Sequence, residues 1–214
     1  MKPVTRRTTG LVLLFFTSFP AAAYDLPKEI PARKPGLWEM RTTGTVGPNQ
    51  LKGIIRYCLD ASADRALQEL NIMRRELEVV YSDITCQTPK ISLTGKVLTG
   101  EMACRTNSSD DDQAAGKDFG WTTAFKSDSV IVNEEHSVPR DVLLLLENKL
   151  VEEQRWIGEC PADQKPGDGL DVGFHYNSDK WPNEAKPINI YESLTVVDKM
   201  LKEAIEINKR LGPM

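Results

Sequence analysis

Four cysteines, Cys58, Cys86, Cys104 and Cys160, place the tightest constraint on how this 214-residue chain can fold. Their number is even and none stands in a C-x-x-C pair. Only His136 and His175 could join them in a metal site, and neither has ligand spacing. In an exported chain this pattern implies two structural disulfides. The first residues supply the export: Lys2, Arg6 and Arg7 form a positive start, Leu11 to Phe16 an apolar stretch, and Ala21-Ala22-Ala23 a small-residue cleavage site. Residues 1–23 therefore read as a signal peptide, the mature chain as starting at Tyr24, and the protein as periplasmic. The apolar stretch is far shorter than the ~20 residues that span a bilayer. No later run approaches that length, so an integral membrane protein is not expected. Three cysteine connectivities are open; pairing Cys58 with Cys86 and Cys104 with Cys160 is favoured because neighbouring strands would join those segments locally.

Hydrophobic periodicity sorts the rest of the chain. Tyr24 to Lys34 carries Pro27 and Pro31 and reads as an extended lead-in. Leu37 to Val46 and Leu51 to Leu59 read as a hairpin turning at Gly47-Pro48-Asn49. From Asp60 the period changes: Ala63, Ala66, Leu67, Leu70 and Met73 share a helical face, with Asp60 or Ser62 as the N-cap. Val79 to Cys86 reads as a short strand, and Ile91 to Arg105 as two strands or one bent at Gly95 and Gly100. Thr106 to Asp118, with Asp110-Asp111-Asp112, reads as a solvated loop. Phe119 to Phe125, Val130 to Glu135 and Gln154 to Cys160 complete the strands. A helix over Ser137 to Val151 is expected from Pro139 in its first turn and Leu143, Leu146 and Leu150 on one face. Beyond Pro161 the composition turns to Gly, Pro, Asp and Asn, an irregular segment. A last helix carries Leu194, Val197, Leu201, Ala204, Ile205 and Leu211 and stops at Gly212-Pro213.

The expected fold is thus α+β and mainly antiparallel β: a curved sheet of about six or seven strands with inserted helices, a C-terminal helix and two disulfides. Residues 24–168 would form the sheet domain, and 169–214 the irregular segment and amphipathic helix.

Chemistry-bearing motifs are scarce. There is no G-x-S-x-G elbow, no H-E-x-x-H and no phosphate loop, since Lys90 stands where the upstream glycine before Gly95-Lys96 would be needed. Asp110 to Asp112 lack the alternating ligands, the glycine and the terminal glutamate of a calcium loop. Asn107-Ser108-Ser109 matches a glycosylation sequon. Glu39, Asp60 and Glu159 are scattered carboxylates that no motif assembles into a catalytic pair. No catalytic residue, metal or cofactor is assigned. With 27 basic against 31 acidic residues the formal charge is −4, and loss of Lys2, Arg6 and Arg7 with the signal makes the mature chain more acidic, which disfavours nucleic acid as a partner.

Three stretches carry a resemblance: Lys34-Pro35-Gly36-Leu37-Trp38-Glu39, Tyr57-Cys58-Leu59, and Trp156-Ile157-Gly158-Glu159-Cys160-Pro161 followed by Lys165-Pro166-Gly167-Asp168. Over Pro35 to Asp168 the chain resembles a domain of unknown function, DUF3617, found in exported proteobacterial proteins. The resemblance implies an exported, disulfide-bonded layout and assigns no activity; the helical tail after Asp168 is not explained by it.

The expected function is that of a non-enzymatic binding or accessory protein. A small apolar ligand would sit in a pocket lined by Trp38, Met40, Trp121 and Phe125 and covered by a helix. The alternative is an envelope protein that docks a partner through its C-terminal helix.

Overall fold

The computed structural model describes residues 24–80, 84–106, 115–140, 145–178 and 184–211. The expected signal peptide, the sequon, Asp110 to Asp112, Leu143 and the Gly212-Pro213 stop lie outside them.

Ten strands among the described residues form one antiparallel sheet. They are β1 (Gly36–Val46), β2 (Asn49–Leu59), β3 (Ile84–Cys86), β4 (Lys90–Thr94), β5 (Val97–Thr106), β6 (Gly116–Phe125), β7 (Val130–Arg140), β8 (Asn148–Gly158), β9 (Asp168–Tyr176) and β10 (Lys186–Asn189). Their spatial order is β10-β9-β2-β1-β8-β7-β6-β5-β3, with β4 also paired to β5. Helix α1 (Ala61–Val80) packs on one face, and α2 (Ile190–Leu211) packs against α1.

The alternation of β1 and β2 explains their side of the core. Trp38, Met40, Tyr57 and Leu59 point inward and are almost fully buried, while Arg41 is exposed on the opposite face. Each such side chain removed from water stabilises the fold by about 1.5–3 kcal/mol. Helix α1 begins as its pattern predicts, with the Ala63 N–H donating to Asp60 Oδ1 at 2.8 Å. Its inward residues Ala63, Leu67, Leu70 and Met73 meet Trp38, Phe125 and Ile131 in the main core cluster.

Several expectations are corrected. The sheet has ten strands rather than six or seven. The helix expected over Ser137 to Val151 does not form: β7 runs on through Arg140, and β8 already starts at Asn148. Pro139 is tolerated there because pairing with β8 ends at Ser137, leaving that edge of β7 without a partner for the missing N–H. Val79 and Val80 belong to α1 rather than to a strand. The segment read as irregular contains β9, paired with β2, and β10. One helix, α1, is inserted among the described strands.

The disulfides are Cys58–Cys160 and Cys86–Cys104, not the favoured pairing. The register explains both. Cys86 stands directly opposite Cys104 on β5. Leu37 on β1 pairs with Cys58 on one side and Gly158 on the other, so the chain leaving β8 needs two more residues to reach Cys58.

The lead-in is strapped across the sheet by side chains. Leu26 is buried in the second core cluster, Tyr24 and Ile30 pack against both clusters, and the Lys34 N–H donates to the Asp128 carbonyl at 2.8 Å.

Candidate functional site

Strand register assembles a polar row on the face that α1 covers. Gly53, Thr42, Glu152, Asn133 and Thr123 stand side by side across β2, β1, β8, β7 and β6. The next row, Leu51, Gly44, Leu150, Glu135 and Trp121, crosses the same strands. Helix α1 contributes Asn71, Arg74, Arg75 and Glu78 from above, and between helix and sheet lies a cleft of about 210 Å³. Its floor is polar, and its rim carries Leu51, Leu150 and Phe174.

Two glycines make room for this arrangement. A Cβ on Gly53 would lie 2.4 Å from the Phe174 ring, and one on Gly100 would lie 2.1 Å from the Trp121 indole. Each aromatic ring therefore lies flat on the sheet. Arg75 then stacks over the Trp121 ring at 4.2 Å and reaches Glu135 through Nε at 2.9 Å and Nη2 at 2.6 Å. Such a two-nitrogen contact fixes the guanidinium plane.

Beyond Arg75 the cleft narrows to a pocket of about 30 Å³ lined by Leu26, Arg33, Gln68, Trp121 and Gln154 among others. Arg33, from the lead-in, is paired with Asp64 of α1 at 2.7 Å, and Arg33 Nη1 donates to Gln154 Oε1. Burial pulls the Arg33 pKa down and pushes that of Asp64 up, and each charge opposes the shift of the other. Lys117, fully buried, donates to Glu78 and to the Leu146 carbonyl.

A wider groove of about 310 Å³ lies on the opposite face, beside Lys90, Glu101, Asp118, Gly120 and His136. Within it Asp118 is paired with Arg105 and Arg140, and His136 Nε2 lies 2.9 Å from Glu147 Oε1. Among the described residues no cluster of three or more His, Cys, Asp or Glu could hold a metal ion.

The four residues expected to line a pocket are placed as follows. Trp38, Met40 and Phe125 are buried in the main core cluster, beside the cleft, while Trp121 walls the narrow pocket beneath Arg75. Of the scattered carboxylates, Glu39 bridges Arg41 and Arg56, Asp60 caps α1 and Glu159 is exposed; they are not brought together. The cleft residues Arg74, Arg75, Asn133, Glu135 and Glu152 escaped sequence reasoning. Their signal was polar residues at inward-facing positions: Asn133 and Glu135 continue the phase of Ile131, and Asn71 and Arg75 follow Leu67 at i,i+4 spacing.

A family model for a protein of unknown function, DUF3617, matches residues 33–160. The chain belongs to this family. No curated protein matches it. The DUF3617 match contains all four cysteines, α1 and β1 to β8, and ends before β9, β10 and α2. The sequence stretches that carried the resemblance meet in space. A Cβ on Gly36, at φ 136°, would lie 2.4 Å from both the Gly158 carbonyl and the Trp156 Nε1. The Trp38 indole donates to the Lys34 carbonyl at 2.9 Å, the Trp156 indole donates to the Pro35 carbonyl at 3.0 Å, and Lys34 sits over the Trp156 ring. Cys58–Cys160 closes the same corner. In this DUF3617 chain those residues clamp the lead-in onto the sheet, and the cleft lies farther along the strands.

Proposed function

We propose that this DUF3617 protein is a non-enzymatic binding protein of an oxidising, extracytoplasmic compartment, the periplasm, reached with residues 1–23 as its signal peptide. The cleft under α1 holds the ligand. One observation carries the reading: the register lines up five inward-facing positions across neighbouring strands into a polar floor under a helix, where a purely structural core would have continued the apolar packing of Trp38, Met40 and Ile131. The two disulfides support the compartment, since such bonds persist where thiols are not kept reduced. The lining favours an amphipathic molecule with polar groups.

The test is native mass spectrometry of the protein released gently from the periplasm, beside an Asn71→Phe variant that fills the cleft from the helix. A reproducible small added mass on the wild type, lost in a variant with unchanged circular dichroism, is the expected result. An added mass that survives the substitution would place the ligand elsewhere, and its absence from both proteins would count against a carrier.

The alternative, a partner docked on α2, has less to work with. Val197, Leu201 and Ala204 of its apolar stripe are buried against the protein's own core, and Val196 and Ile207 remain exposed on the other side. Deleting Tyr191 to Met214 should then unfold the protein rather than only abolish an association.

A further inference from the structure

Charge pairing in the cleft is incomplete in a specific way. Arg75 is matched by Glu135, Arg33 by Asp64 and Glu78 by Lys117. Arg74, exposed on α1, makes no ion pair among the described residues and lies against the Tyr57 hydroxyl. Glu152 accepts from Thr42 Oγ1 at 3.2 Å and from Gln154 Nε2 and makes no ion pair among the described residues, the buried Arg33 acting on it only from beyond ion-pair distance. Tyr57 is close enough to feel both Arg74 and Glu152, and burial raises its phenol pKa, so the hydroxyl near them is neutral. The cleft therefore presents one cation and one carboxylate that no ion pair engages among the described residues. Beside them stands an apolar rim on which Phe174, 43% exposed, lies over Gly53.

Accepting the cleft as the ligand site, we propose that its ligand is a small zwitterion bearing an apolar group: an anionic group on Arg74, an ammonium on Glu152, and the apolar group against Leu51, Leu150 and Phe174. A simple anion would leave Glu152 facing like charge, and a simple amine would do the same to Arg74. A molecule carrying both signs satisfies both, and each charge-assisted contact in a partly desolvated cleft contributes roughly tenfold or more in affinity.

Three probes with the same ring separate the contributions: L-phenylalanine carries both charges, 3-phenylpropanoate only the carboxylate, and 2-phenylethylamine only the ammonium. Titrations of the mature protein are followed by calorimetry and by amide chemical shifts of the cleft strands. L-phenylalanine is expected to bind at least about tenfold more tightly than either relative. Arg74→Gln should erase its advantage over 2-phenylethylamine, and Glu152→Gln its advantage over 3-phenylpropanoate. Equal binding of L-phenylalanine and either single-charge probe would overturn the zwitterion while leaving the cleft as a binding site. So would cleft shifts with the amphipathic dye anilinonaphthalenesulfonate but with none of the three. Shifts with no probe at all, dye included, would remove both the zwitterion and the cleft.

Discussion

Replacing Cys58 and Cys160 together by alanine opens a loop of 102 residues, whereas replacing Cys86 and Cys104 opens one of 18. In the chain-entropy view a disulfide acts by restricting the unfolded chain, with a cost that grows with the logarithm of loop length. For these separations it gives about 4.7 and about 3.2 kcal/mol, a difference of about 1.5 kcal/mol. Packing does not reverse the order, since each bond contains one fully buried cysteine, Cys58 or Cys104, and alanine keeps both sites apolar. Urea unfolding of wild type and both double variants, followed by tryptophan fluorescence, measures this directly. With a slope of about 2 kcal/mol/M, the Cys58/Cys160 variant should unfold roughly 0.7 M earlier than the Cys86/Cys104 variant at similar slope. If instead the Cys86/Cys104 variant is the less stable at equal slope, the entropic reasoning fails. Anchoring of the three-residue edge strand β3 would then be the dominant role of its disulfide.

Asp64→Ala leaves Arg33 charged and buried without its partner, and should cost about 3–5 kcal/mol in urea unfolding. The double variant Arg33→Met, Asp64→Leu should recover most of that loss. Burial raises the Glu76 pKa above the usual carboxylate value, against the hydrogen bond from Tyr24. The folded protein therefore keeps a proton that the unfolded chain releases, and stability falls as pH rises from about 4 through the folded pKa. Glu76→Gln removes this penalty, so its melting temperature relative to wild type should climb over that window and then level off; a constant offset would contradict the burial argument. Gly44, at φ 152°, would bring a Cβ to 2.0 Å from the Lys149 carbonyl. Gly44→Ala should therefore destabilise by about 1–3 kcal/mol, measured by thermal unfolding.

Local pattern reached as far as local causes do. The β1–β2 hairpin was legible because Gly47 and Pro48 punctuate two alternating strands, and the start of α1 because Asp60 precedes a 3.6-residue stripe. The stretch Ser137 to Val151 was misread because leucines at helical spacing and an early proline suit a helix as well as two strand ends. Strand β9 was missed because Gly169 and Gly173 and its mixed exposure obscure any alternation. The cleft was not legible at all: Thr42, Glu152, Asn133 and Arg75 are ordinary polar residues until register and helix packing set them side by side.

By itself the sequence determined the antiparallel class, most strand positions, the two amphipathic helices and the presence of two disulfides, because period, turn residues and cysteine parity act over a few residues or by composition. Tertiary structure alone decided which cysteines pair, where β9 and β10 join the sheet, and which charges meet under α1. Those outcomes depend on which strand lies beside which, and strand order is set by burial summed over the whole chain rather than by any segment of it.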